Sequence, residues 1–130
     1  AAEQRERVAP LLAGLVRPDV LAARIAAIVA QRSELFETIT PVRHAIGTRA
    51  SESVALQERL KELSAALREQ VADQFSEELG ALPARGRRSM LDALDLLMSF
   101  EAWDRLRTVQ MLERDDAERT LSAALSALLD

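Results

Sequence analysis

The chain has 130 residues, of which 48% are hydrophobic and 29% charged, with a net charge of -4 and no cysteine. That is enough apolar chain for a single domain with its own core. It excludes disulfides and thiolate metal sites, and the acidic balance argues against a surface that grips nucleic acid by neutralising phosphates.

Glycine and proline number four each and aromatic residues make up 3%, so breaks are few and the interior must be aliphatic. In chain order, Ala1 to Leu15 is helix-competent, with Pro10 inside it and neither Met nor a capping residue ahead of it. It reads as the end of a longer connecting helix over 1–15. From 19 to 39, Leu21, Ile25, Ile28, Leu35 and Ile39 share one helical face with Arg32 in the gap, and Pro18 and Asp19 supply a start. Thr40 followed by Pro41 predicts an N-cap and first residue of a separate short helix over 40–49, with Val42 and Ile46 inward and an end near Gly47.

The clearest amphipathic stretch is 51–79, where Leu56, Leu60, Leu63, Leu67, Val71, Phe75 and Leu79 recur every three or four residues before Gly80, a C-terminal cap. After a joint at 83–88, a helix is predicted over 87–110. Met90, Leu91, Ala93, Leu94, Leu97, Met98 and Phe100 cover more than an ordinary apolar stripe on it, and Leu96 and Trp103 widen the band. A rod apolar on most of its circumference needs cover on two sides, which predicts a second copy of the chain. The last helix, 114–129, has Glu113, Asp115 and Asp116 at its favourable end and Ala117, Leu121, Ala124, Leu125 and Leu128 on its inner face. No strand pattern, repeat or low-complexity segment occurs. The predicted fold is all-α, an antiparallel helical bundle of about five to six helices in one domain over 1–130, dimerising through its last two helices.

No window offers the roughly eighteen apolar residues of a membrane span, and AAEQRER at the start lacks a signal peptide's apolar core. The expectation is a cytoplasmic protein with no membrane partner. His44 is the only histidine, so no imidazole pair exists for a metal and no motif makes it a catalytic base. Beside the Thr40–Pro41 bend it is either a polar ligand contact or an ordinary capped histidine. No phosphate loop, zinc-protease motif, nucleophile elbow or calcium loop is present, so the chain is expected to be neither an enzyme nor a holder of metal or cofactor. Asp92, Asp95 and Ser99 form a polar stripe that could meet a cationic ligand but reads more simply as facing solvent or pairing with Arg88 one turn back; Glu101 is similar, with Arg105 as its expected partner. Arg85, Arg87 and Arg88 lack interleaved aromatics and read as a solvated turn.

LLMSFEAWDRLR over 96–107, followed by ERTLSAALSALL over 118–129, resembles the C-terminal ligand-binding and dimerisation domain of TetR-family transcriptional regulators. The resemblance spans essentially the whole chain, while the family's N-terminal helix-turn-helix module is not part of it. It implies the effector-sensing, homodimerising part of a bacterial repressor, touching DNA only through that absent module. The helices over 19–39, 51–79 and 89–110 would wall a pocket for a small hydrophobic or amphipathic effector. Phe36, Leu67, Val71 and Phe75, with Leu94, Met98 and Trp103, would line it as well as build core, and His44 would add a polar contact. Leu97, Phe100, Leu121, Ala124, Leu125 and Leu128 would form the dimer interface. The rival reading is a dimeric helical scaffold that binds a protein partner and has no pocket.

Overall fold

The structure is a computed structural model, and it describes residues 12–47 and 53–130. The described residues form helices joined by short connections, with no strand: α1 (Leu21–Ile46), α2 (Val54–Gln74), α3 (Ser76–Gly80), α4 (Ala84–Leu97), α5 (Phe100–Asp104), which continues into a π-helical turn (Arg105–Val109), and α6 (Arg114–Leu129). The expected helix over 1–15 lies outside the described residues up to residue 11, as do residues 48 and 49 of the expected 40–49 helix. Among the described residues, no helix is long and apolar enough to cross a membrane.

α1 is the element the others pack around, touching α6 most extensively and then α5 and α2. Its apolar face, Ile25, Ile28, Leu35, Phe36 and Ile39, is buried. The helix begins at Leu21 rather than Asp19. Val20 occupies the N-cap with no side-chain bond, and its carbonyl accepts from the backbone N–H groups of Ala23 and Arg24 at 3.1 and 3.0 Å.

The break expected at Thr40–Pro41 does not occur: α1 runs through Pro41 to Ile46, so no separate 40–49 helix exists. Pro41 removes one backbone donor, so the carbonyl of Glu37 loses its intrahelical partner, and the helix continues despite that loss. Thr40 and Thr38 turn their hydroxyls onto the carbonyls of Phe36 and Glu34 one turn back instead of capping a new helix. Packing secures both sides of the proline, with Ile39 buried before it and the Arg43 guanidinium on the Phe100 ring after it. α1 ends at Gly47, whose φ of 51° suits a residue without Cβ, and its N–H closes on Arg43 O.

The 51–79 stretch is two helices. Ser53 caps α2, its hydroxyl accepting from Leu56 N at 3.2 Å. Phe75 leaves helical geometry and buries its ring, and α3 resumes beyond it. The leucine stripe is buried at Leu67, Val71, Phe75 and Leu79, while Leu56, Leu60 and Leu63 are half-buried. After α3, Arg87 closes the joint by donating to the carbonyls of Leu79 and Leu82, both at 3.1 Å.

The 87–110 helix is also divided. α4 stops at Leu97, Ser99 is extended (φ -83°, ψ 159°), and its hydroxyl accepts from Ala102 N to start α5. The wide apolar band therefore spans two helices with different phases. Leu94 is the one buried residue of α4 and Leu96 is 66% exposed, whereas Phe100 and Trp103 are buried as part of α5. Without one continuous rod, the band no longer requires a second copy.

Candidate functional site: a cleft at the α4–α5 break

Arg32 occupies the gap in the α1 stripe, and it is completely buried, 0% exposed. Its guanidinium reaches three neutral acceptors. Nη1 donates to Met98 O at 2.9 Å, and Nη2 donates to Leu67 O at 2.8 Å and to Gln70 Oε1 at 3.0 Å. Among the described residues it has no carboxylate partner, and its Nε–H has no acceptor. Burial lowers its pKa to about 10, against a weaker upward pull from the charge of Asp95. Arg32 thus fastens the middle of α2 and the α4–α5 break to α1. The Gln70 amide that it orients donates to Leu12 O at 3.1 Å, so the chain leading into α1 is tied to the same group.

Beside this junction lies an open cleft of about 150 Å³. Phe36 and Ile39 of α1, Leu63 and Leu67 of α2, and Met98 at the break form its apolar floor. Phe100 closes one side, its ring edge-on to Phe36 with centroids 5.8 Å apart and planes at 79°. The rim carries Arg43, Ser64, Asp95, Ser99 and Glu101. Arg43 lies over the Phe100 ring, its guanidinium carbon 4.3 Å from the centroid. Ser99 has both roles filled, accepting from Ala102 N and donating to Leu96 O at 2.7 Å. Asp95 pairs with Arg68 at 3.3 Å, and Arg68 also holds Asp92 at 2.7 Å. The partner of this acidic stripe is therefore Arg68 on α2, across the helix interface, and not Arg88. Glu101 and Arg105 do not pair.

Of the residues expected to line a pocket, the structure brings Phe36, Leu67 and Met98 to the cleft. Val71, Phe75, Leu94 and Trp103 are fully buried in the core. The Trp103 indole N–H donates to Glu37 Oε2 at 2.9 Å, and Glu37 also receives Arg107 at 2.7 Å. The hydrogen bond from Arg107 is the main reason the Glu37 carboxyl sits below its ordinary pKa. His44 is exposed and meets Asp104 at 2.8 Å, away from the cleft lining. Among the residues assigned to a dimer interface, Leu121, Leu125 and Phe100 are buried within the single chain. Leu97 and Ala124 are half-buried and Leu128 is exposed.

Ile39, Arg43, Leu63 and Ser64 were not anticipated at a site, and Ser99 and Glu101 only as possible contacts for a cationic ligand. One signal for the junction was present: an arginine on an otherwise unbroken apolar stripe of α1 is costly to bury and must meet acceptors there. Among the described residues no group of three or more His, Asp or Glu side chains is placed to hold a metal ion. Comparison with protein-family models, with curated proteins and with solved structures gives no match to this chain.

Proposed function

We propose that the chain is the effector-sensing, homodimerising domain of a bacterial TetR-like transcriptional repressor, acting in the cytoplasm. The cleft receives a small, mostly apolar molecule. DNA is bound by a helix-turn-helix module outside this sequence, and occupation of the cleft changes that module's affinity. The observation that carries the reading is the cleft itself: a small depression with an apolar floor where α1, α2 and the α4–α5 break meet, set over the closed core.

The tie from the cleft wall through Arg32 and Gln70 to Leu12 supports the regulatory part, because it links the ligand's surroundings to the chain entering α1. A ligand shifts such a system only by its difference in affinity between two arrangements. At about 150 Å³ the cleft is smaller than the roughly 300–1,000 Å³ of drug-sized sites, so the effector is small. Self-association would use what the core leaves uncovered on α4 and α6, namely Leu96, Leu97, Ala124 and Leu128.

The test is thermal unfolding in the presence of short alcohols and other small apolar compounds, run beside sedimentation. Binding to the native state raises the midpoint, and Ser64→Trp, which fills the cleft from its exposed rim, should remove that rise while leaving a dimer. A wild-type midpoint indifferent to every compound, or a stable monomer at micromolar concentration, would overturn the reading.

A further inference from the structure

Resting on the reading of the cleft as an effector site, we infer that its ligand is a small zwitterion with an apolar body: a free α-amino acid with a branched aliphatic side chain. The inference comes from which rim charges are already answered and which are not. Asp95 is answered by Arg68. Among the described residues, Arg43 makes no ion pair and rests only on the face of Phe100, and Glu101, the neighbour of that phenylalanine, makes none either. The two do not pair with each other, although both edge the same cleft.

One cation and one anion are therefore left over a floor of aliphatic and aromatic carbon. A carboxylate suits Arg43, whose guanidinium offers a planar fork of donors while its flat face stays on the ring. An ammonium suits Glu101. The Ser64 hydroxyl, also on the rim, adds a group that can donate or accept. Arg32 sets the direction: its buried charge, hydrogen-bonded to no carboxylate and only weakly offset by the charge of Asp95, lies behind the Met98 wall and favours the anionic end of a ligand on the α1 side.

Size points the same way. A cavity of about 150 Å³ accommodates a benzene-sized body. Phe36, Ile39, Leu63, Leu67 and Met98 offer no polar side-chain group to such a body, so a branched aliphatic side chain fits the floor. A longer lipid tail does not.

Calorimetric titration of the wild-type chain with three probes that share an isobutyl group tests this: L-leucine, 4-methylpentanoate, which lacks the amine, and 3-methylbutylamine, which lacks the carboxylate. Leucine should bind at least tenfold tighter than either. Arg43→Gln should reduce leucine to the level of the amine without changing the amine, and Glu101→Gln should reduce it to the level of the acid without changing the acid. Arg43→Lys, which keeps the charge but not the fork, should fall between wild type and Arg43→Gln, and circular dichroism checks that each variant is folded. If either single-charge probe binds as tightly as leucine, the zwitterion is wrong while the effector site stands. The zwitterion is equally wrong, and the site equally intact, if none of the three binds but hexanol raises the unfolding midpoint. If hexanol also fails, the effector reading falls with it.

Discussion

Arg24 and Arg32 lie about two turns apart on the buried face of α1, and they are held in opposite ways. Arg24 is paired with a carboxylate: Nη1 and Nη2 meet the two oxygens of Glu78 at 2.7 and 2.9 Å, and Nη1 also donates to Gln74 O at 3.1 Å. The hydrogen bond to Glu78 raises its pKa. Arg32 has only neutral acceptors, and burial lowers its pKa to about 10. A fork on a carboxylate rivets α1 to α3 and is complete in itself. A guanidinium on carbonyls leaves a net positive charge inside the protein, and neutral acceptors offset only part of a desolvation cost on the order of several kcal/mol. The first is a fastening at the end of the domain away from the cleft. The second sits behind the cleft wall, where an unbalanced charge can act on a ligand.

The largest effect should come from breaking the fastening. Glu78→Ala leaves Arg24 buried with one carbonyl, and loss of one partner from a buried pair costs about 3–5 kcal/mol. Glu78 retains some exposure, so the loss should lie near the lower end, about 3 kcal/mol by urea denaturation. Arg32→Met should cost less, about 1–3 kcal/mol, because leaving Met98 O unpaired is offset by removal of a desolvated charge. A Met variant as damaged as Glu78→Ala would show that Arg32 is a rivet like Arg24, and the distinction would be lost.

Acid sharpens the same contrast. The Arg24 hydrogen bond holds the Glu78 pKa below its ordinary value. The stability this contributes is fully present above the unfolded carboxyl's pKa and disappears as pH falls through the lowered folded value. Among the described residues Arg32 hydrogen-bonds to no carboxylate, and its own titration lies far above this range. Glu78→Gln should therefore flatten the acid limb of the stability curve, while Arg32→Met keeps the wild-type slope. Equal flattening by both would sink the assignment.

The helical class, the α1 stripe and the lower half of the α2 stripe were legible because burial follows the 3.6-residue period there. Three breaks were not: Phe75 interrupts a stripe that reads as continuous, and the other two are misplaced for a common reason. Thr40–Pro41 carries the strongest local signal for an interruption and is continuous, while Leu97–Met98–Ser99 carries a weak one and is interrupted. Local chemistry is similar in kind at both, and tertiary partners decide. Pro41 loses one bond near a helix end that packing holds on both sides. At the other place, Arg32 waits for the carbonyl that an interruption frees, and Ser99 caps the helix beyond it. The cleft is a product of that second break. Its floor was partly readable as apolar residues at helical spacing, but its rim was not, because which of Arg43, Asp95 and Glu101 remains unpaired depends on where Arg68 reaches.

The smallest expected effect probes whether that break belongs to Arg32 or to Ser99. Ser99→Ala removes the hydroxyl that accepts from Ala102 N and should cost about 1 kcal/mol, the usual loss at an N-cap. If Ser99 and Arg32 stabilise one and the same interruption, the double variant Ser99→Ala, Arg32→Met should lose less than the sum of the singles by at least about 0.5 kcal/mol, since either change already frees the break to relax. Strict additivity in urea denaturation would mean the two act independently. Arg32 would then be answering a break that Ser99 makes by itself, and the buried charge would be free to serve the cleft alone.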